Sequence, residues 1–224
     1  MITLAFDTCF NKTYIVLQKD GIVLSNLVIE STDSNYHSVY LIPKIRDILK
    51  ENNLLISDIG AIGVNIGPGS FTGIRAGITI ARVLAQQSDI KLVGINALHI
   101  LSKLNITSKK TIVATDARKN KIYYAVYQNN NELVAPELIE REEILNKITD
   151  EHFVIADNSI SQYVISNEKF ALNYEANDNN LGLYLSDLVN YYLNISEDDF
   201  HWAKIKPLYI QQPSITKPKE VKNV

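Results

Sequence analysis

Apolar residues alternate with polar ones from the first positions of the chain. Residues 2–8 and 13–18 read as strands, Asp20-Gly21 is a tight-turn signal, and residues 22–30 read as a third strand. After a polar break over 31–36 the period lengthens. Leu41, Ile45, Ile48 and Leu49 recur at helical spacing and predict a helix over 38–52, its first turns loosened by Pro43. An apolar run over 59–66 predicts a buried strand, followed by a helix over 72–87, a strand over 91–95 and a helix over 97–104. The first half therefore reads β-β-β-α-β-α-β-α.

The opening pattern then returns. Asp7-x-x-x-Asn11-Lys12-x-Tyr14 recurs as Asp116-x-x-x-Asn120-Lys121-x-Tyr123, at a constant offset of 109 residues. In both copies an apolar strand precedes the acid (2–6 and 111–114) and another follows it (13–18 and 122–128). The repeat predicts an internal duplication. The fold class is α/β, two duplicated actin-like lobes of the ASKHA, ribonuclease H-like kind, each a mixed β-sheet with helices. Later elements are a strand over 132–139, a helix over 140–148, a strand over 153–157, a polar and poorly periodic stretch over 160–180, and a helix over 181–193. The lobes are expected at 1–105 and 106–210, with the last helix free to pack back on the first lobe and a flexible tail at 211–224.

Between the strand at 59–66 and the helix at 72–87 lies a glycine-rich elbow, Gly67-Pro68-Gly69-Ser70-Phe71-Thr72-Gly73. No Gly-Lys-Ser/Thr follows, and the spacing Gly67-x-Gly69-x-x-x-Gly73 is not the dinucleotide fingerprint. The helix has three strips: Ile74, Ile78, Ala81 and Ala85; Arg75, Thr79, Arg82 and Gln86; and a small, flat one of Gly73, Ala76, Gly77 and Ile80. A glycine inside a helix costs roughly 1 kcal/mol relative to alanine. Close packing at Gly77, on the chain's own sheet or on a partner helix, would offset that cost, and a phosphate cradle is a third use. In actin-like ATPases the acid after the first strand lies near metal and phosphates, which makes Asp7, Thr8, Gly67, Gly69 and Ser70 candidates for a phosphate-proximal set. The competing reading is that Asp7 closes only its own turn. After Asn105 the sole glycine is Gly182, so the second lobe offers no glycine-rich adenosine site.

No catalytic or metal-binding set assembles. His37, His99, His152 and His201 lack paired ligand spacing. His99 is expected on a helix surface or half-buried, His37 as a cap or partner-facing residue, and Cys9 as a buried thiol. Ser70 does not sit in a Gly-x-Ser-x-Gly elbow. A net charge of -3 gives no bulk field for nucleic acid, so a role in RNA biology would need a partner's surface. One cysteine fits a reducing compartment, the N-terminus lacks a basic leader, and no run is long enough for a membrane span, so a cytoplasmic protein is expected.

The glycine-rich segment through Ile74-Arg75-Ala76-Gly77, with Leu4-Ala5-Phe6-Asp7-Thr8 before it, resembles the bacterial TsaB (YeaZ) family of tRNA threonylcarbamoyladenosine biosynthesis proteins. His37-Ser38-x-x-Leu41-Ile42-Pro43, Thr115-Asp116-Ala117-Arg118 and Pro207-Leu208-Tyr209-Ile210 are similar to further family segments, with Gln211 where arginine is usual. The resemblance implies a pseudo-enzyme without a cofactor of its own. It would partner TsaD, which transfers threonylcarbamoyl to the adenosine beside the anticodon of tRNAs reading ANN codons. The heterodimer would form through the helices at 38–52 and 72–87, with His37, Leu41, Ile45, Gly73, Arg75, Ala76, Gly77 and Ile80 at the interface. TsaE would join, ATP would be used at the level of the three-protein complex, and tRNA would be met only through it. A homodimer through the same helices is expected in isolation. TsaD places two metal-binding histidines in Gly-Val-Asn-His-x-x-x-His, whereas the similar segment here, Gly94-Ile95-Asn96-Ala97-Leu98-His99-Ile100-Leu101, has alanine and leucine at those places. A stand-alone actin-fold ATPase or phosphotransferase remains the alternative; the missing ligand spacing disfavours a metallopeptidase.

Overall fold

A computed structural model describes residues 1–30 and 36–211, residues 36–39 by backbone alone. The first lobe opens with an antiparallel meander, β1 (Ile2–Asp7), β2 (Lys12–Lys19) and β3 (Ile22–Glu30). Asp20 and Gly21, both at positive φ, make the tight turn between β2 and β3. Helix α1 (Tyr36–Glu51), β4 (Ala61–Asn65), α2 (Phe71–Ser88) and β5 (Lys91–Ile95) follow, and β4 and β5 extend the sheet in parallel beyond β1. The order is β3-β2-β1-β4-β5.

Past α3 (Ala97–Ser102) the scheme repeats as β6 (Lys110–Asp116), β7 (Lys121–Gln128), β8 (Asn131–Glu140), α4 (Glu143–Lys147), β9 (His152–Ala156), α5 (Asn158–Ser166) and β10 (Leu172–Asn173). The second sheet runs β10-β9-β6-β7-β8, so counted from the hairpin edge both sheets read third, second, first, fourth, fifth. This is the duplicated, actin-like α/β arrangement expected from the repeat.

The period-two pattern of each strand separates two faces. Leu4, Phe6, Ile15, Leu17, Ile62 and Val64 meet α1 and α2, whereas Ala5, Tyr14, Val93 and Ile95 point the other way, towards α3 and α6 (Leu181–Ile195). In the second sheet Ile112, Ala114, Tyr124 and Val154 lie under α4 and α5, while Val113, Ala125, Tyr127 and Ile155 join the core built by α3 and α6. The last helix is thus a middle layer against the first sheet. A Cβ on Gly63 of β4 would lie 2.3 Å from Val189 Cγ2, so only glycine permits that approach. After α6 the chain returns along the first lobe as a strap, with Leu92 N donating to Phe200 O and Leu208 N to Ile66 O, both at 2.8 Å. The strap covers the edge of β5.

The stretch 160–180 is more ordered than its composition predicts. It holds most of α5, whose start is capped by Asp157: Oδ1 accepts from Ile160 N at 2.9 Å. Counting Asp157 into the preceding strand hides that cap. The helix expected over 140–148 shortens to α4. Of the expected tail only Gln211 is described; residues 212–224, like the polar break at 31–35, lie outside the described residues. Among the described residues no helix is long and apolar enough to cross a membrane.

Candidate functional site

The glycine elbow clamps the turn between β1 and β2. Asp7 ends β1 with 1% exposure. Its Oδ1 accepts from Cys9 N at 2.5 Å and Phe10 N at 3.3 Å, and its Oδ2 accepts from Asn65 Nδ2 at 2.6 Å. Asn65 Oδ1 in turn accepts from Gly67 N at 2.9 Å, which ties β1, β4 and the elbow together. Burial pushes the Asp7 carboxyl up to about 6, against hydrogen bonds that pull it down.

The motif glycines exist for close approach. A Cβ on Gly73 would stand 1.7 Å from Thr8 O, one on Gly77 2.7 Å from Thr8 Oγ1, and one on Gly69 2.6 Å from Cys9 Sγ. Thr8 Oγ1 donates to Gly73 O at 2.7 Å and Ser70 N to Cys9 O at 3.0 Å. Ser70 Oγ caps α2 by accepting from Gly73 N. The first turn of α2 therefore sits on the chain's own backbone.

Between the lobes lies a cavity of about 910 Å³. One wall is Cys9 to Asn11 with Gly69 to Thr72, the other Thr115 to Lys119 with Asp157 to Ser159, and Ala97, Leu98 and Leu101 contribute carbon to its lining. Asn11 Nδ2 donates to Glu175 Oε1 at 3.2 Å and the Phe10 and Tyr174 rings meet at 5.9 Å, so the lobes touch across the opening. Arg118, Lys119 and Asn120 all have positive φ in the turn that carries the second-lobe wall.

The phosphate-proximal candidates divide. Gly69 and Ser70 line the cavity; Asp7, Thr8 and Gly67 do not, because their polar atoms and close contacts are spent within the clamp. His99 also departs from expectation. It is 1% exposed, stacked on Tyr127 at 4.6 Å, with Tyr192 Oη and Nδ1 3.1 Å apart, and burial pulls its pKa down to about 4. It lies inside the core of the middle layer, neither on a helix surface nor half-buried as the sequence pattern predicts. Cys9 is buried, Sγ 3.6 Å from Pro68 O, and burial pushes its thiol well above the ordinary range. Among the described residues no three His, Cys, Asp or Glu side chains gather as a metal site.

The partner-interface set divides as well. Leu41 and Ile45 are buried in the first-lobe core, and Gly73 and Gly77 face Thr8, so none of the four presents a side to a neighbour. Their helical periodicity marks the inward face, and the cost of Gly77 is offset by packing on the chain itself. Arg75 is exposed, with Ala76 and Ile80 half-buried. His37 lies on α1, but its side chain is outside the described residues. Beside them, Phe71, Thr79 and Val83 are exposed on the outer side of α2, with half-buried Trp202 and exposed Tyr209 on the strap. Arg75 Nε donates to Tyr209 Oη at 2.9 Å, its guanidinium lies 3.8 Å over Phe71, and that of Arg82 lies 5.5 Å over Trp202. The strip Arg75, Thr79, Arg82 and Gln86 is visible in the sequence, but not the strap that lies against it.

Comparison with known proteins accords with this geometry. Residues 23–188 match the family model described as TsaD: tRNA N6-adenosine threonylcarbamoyltransferase. The chain is 31% identical to the tRNA threonylcarbamoyladenosine biosynthesis protein TsaB of Escherichia coli over 58% of its own length, and 30% identical to the Bacillus subtilis TsaB over 60%. These matches span little more than half of the relatives, 56% and 58%. YeaZ from Pseudomonas aeruginosa superposes with a TM-score of 0.75 at 20% identity, covering 93% of this chain and all of that one. That likeness extends the shared fold across both lobes. With most of its length under the family model, the chain belongs to the TsaD family of tRNA N6-adenosine threonylcarbamoyltransferases.

Proposed function

We propose that the chain is a non-catalytic partner of a TsaD-type protein in threonylcarbamoyl transfer to the adenosine beside the anticodon of ANN-reading tRNAs. The observation that carries this reading is the lining of the interlobe cavity. Ala97 and Leu101 stand where the resemblance to TsaD puts metal-binding histidines, and both contribute carbon to that lining. Asp7, the acid that would face phosphate in an active actin-like lobe, is spent on Cys9 N, Phe10 N and Asn65. Two apolar side chains and a sealed acid take the place of the metal ligands and the phosphate-facing carboxylate that such chemistry would use. The chain then contributes surface. Exposed Tyr40 and Ile42 on α1 and Phe71 and Val83 on α2 give the TsaD-type protein a helical face, a TsaE-type ATPase joins the pair, and ATP is used by the assembly.

Reconstitution tests the proposal. A mixture of the TsaD-type and TsaE-type proteins of the same organism with tRNA and the threonylcarbamoyl donor should modify tRNA only when the chain is added. Equal transfer without it, or transfer by the chain alone, would sink the reading. Micromolar ATP binding by the isolated chain would favour the stand-alone ATPase instead.

A further inference from the structure

Each of the two sheets has two outer edges, and the chain manages three of the four. The strap covers β5, with Leu92 N donating to Phe200 O. β10 is only two residues long. β8 is long, but it carries Glu132, Pro136, Glu137 and Glu140, and its register with β7 shifts twice. Shortness, charges, proline and bulges are the devices that keep a sheet edge from pairing with another chain. β3 lacks nearly all of them. It holds no charge, proline or glycine from Ile22 to Ile29, and its one irregularity is a register shift against β2 at Leu24. Ile22, Val23 and Leu24 are exposed, and among the described residues no backbone hydrogen bond reaches β3 from outside its own sheet.

We infer that β3 is a pairing edge and that its occupant is β3 of a second copy of the chain, antiparallel across a two-fold axis at Asn26. The first sheets of the two copies then run on as one. That register sets Ser25 opposite Leu27, Leu24 opposite Val28 and Val23 opposite Ile29, so the exposed end of each strand meets the half-buried end of the other. Glu30, the one charge on the strand, falls opposite Ile22 and is already held by Lys12 at 3.0 Å. The two copies of Glu30 stand roughly 27 Å apart, well beyond the screening length at physiological salt. The strand runs about 30 Å, and a strip that long and about 20 Å deep, a sheet with a helix layer on each side, hides about 600 Å² per copy, the lower bound of a stable interface.

Charge favours a second copy over other occupants. A strand uncharged from Ile22 to Ile29 offers phosphate no cation and a charged peptide no counter-ion, whereas against itself it brings no like charges together. The assembly also stops at two. Pairing uses the one bare edge of each copy, and the guarded β8 and covered β5 leave no second edge on which a filament could grow. The internal repeat supplies a matched comparison. Asn26 on β3 and Ala135 on β8 are 109 residues apart, the offset of the repeat, and both are exposed. Only Asn26 belongs to a bare edge. The inference does not rest on the partner role proposed above, and it differs from a homodimer through α1 and α2.

Sedimentation of the full chain at tens of micromolar should show a dimer. Asn26→Lys sets two cations against each other on the axis and should weaken that dimer at least ten-fold, while Asn26→Gln should stay within about three-fold of wild type. Ile42→Asp and Val83→Asp, on the exposed sides of α1 and α2, should leave it intact. An unchanged melting curve controls for folding. Cross-linking tests the register without adding charge. Cys9 is the only cysteine of the chain and is buried, so a cysteine at position 26 is the one within reach of an oxidant. Asn26→Cys treated with diamide should give a disulfide-linked dimer, and Ala135→Cys should not. If Asn26→Lys melts early, the cysteine pair decides. A monomeric wild type would overturn the inference, as would a dimer that ignores Asn26→Lys or is broken by Ile42→Asp or Val83→Asp. Equal cross-linking at both positions, the mark of random collision, would overturn it too.

Discussion

The turns that follow β1 and β6 start from the same residues and end in opposite environments. Asp7 is sealed beneath the glycine elbow, with its carboxylate shared among two backbone N–H groups and Asn65. Asp116 is exposed, and among the described residues its Oδ1 accepts only from Arg118 N. The ladders differ as well. Asp7 pairs with Tyr14 but Asp116 with Ile122, so the second turn closes one residue sooner. It does so with three successive non-glycine residues at positive φ, Arg118, Lys119 and Asn120. The difference comes from the connection after the fourth strand of each lobe. In the first lobe that connection and the start of an eighteen-residue helix bring three glycines, Gly69, Gly73 and Gly77, down onto the turn. In the second, Asp157 caps a nine-residue helix, and its other carboxylate oxygen accepts from Asp116 N. Identical residues fix where a turn begins, and the neighbouring βα connection decides whether it is core or surface.

The contrast breaks most sharply at Gly73. Its Cβ would fall within bonding distance of a backbone carbonyl that cannot move without moving β1. Gly73→Ala should cost about 3 kcal/mol or more, read as a lowered urea midpoint. A variant that unfolds within a few tenths molar urea of wild type would show that α2 does not need this seat.

A smaller effect appears in the pH dependence. Asp7 carries a folded pKa above its ordinary 3.8, so the folded state holds the extra proton; its contribution is greatest in acid and is lost as pH rises through about 6. His99, held below its ordinary 6.5, has the reverse slope: its contribution is present above about pH 6.5 and is lost as pH falls towards 4. The two offset each other in wild type. His99→Phe should therefore gain stability relative to wild type, on the order of 2 kcal/mol, between pH 7.5 and 4.5, and Asp7→Asn should lose it over the same interval. Parallel slopes for all three proteins would place neither group where the structure has it.

The least effect is expected in the second turn. Lys119 has φ 52°, a conformation that glycine adopts without the steric penalty of a side chain. Lys119→Gly should raise stability by roughly 0.5 kcal/mol, a shift of one or two degrees in thermal melting. A loss of that size would mean that the lysine side chain is itself anchored.

The fold was legible where periodicity and punctuation agreed. The Asp7/Asp116 repeat announced the duplication, Asp20-Gly21 its hairpin, and Leu185, Leu188 and Val189 the buried side of α6. The site was less so. A helical stripe such as Leu41 and Ile45 reads alike whether it meets the chain's own sheet or a partner's. Gly77 signals close packing without saying against what; the answer, Thr8, lies far away in sequence. His99 escapes the pattern because α3 is packed on both sides, by Tyr127 from one sheet and Tyr192 from α6, and a short helix buried all round has no polar side to betray it. The hollow beside α2 was invisible because half of its lining belongs to a strap without regular period.

Helix α6 sets the order in which the molecule can be finished. Every strand of the first sheet is made once Ile95 has been added, yet the face bearing Ala5, Tyr14 and Val93 gets its cover from Leu181, Leu185 and Val189. During synthesis that face must wait, bare or loosely held, until residues 181–195 have left the ribosome. The two lobes are therefore one cooperative unit in time as well as in space, and a nascent chain stalled between them is the species most exposed to aggregation and to chaperone capture.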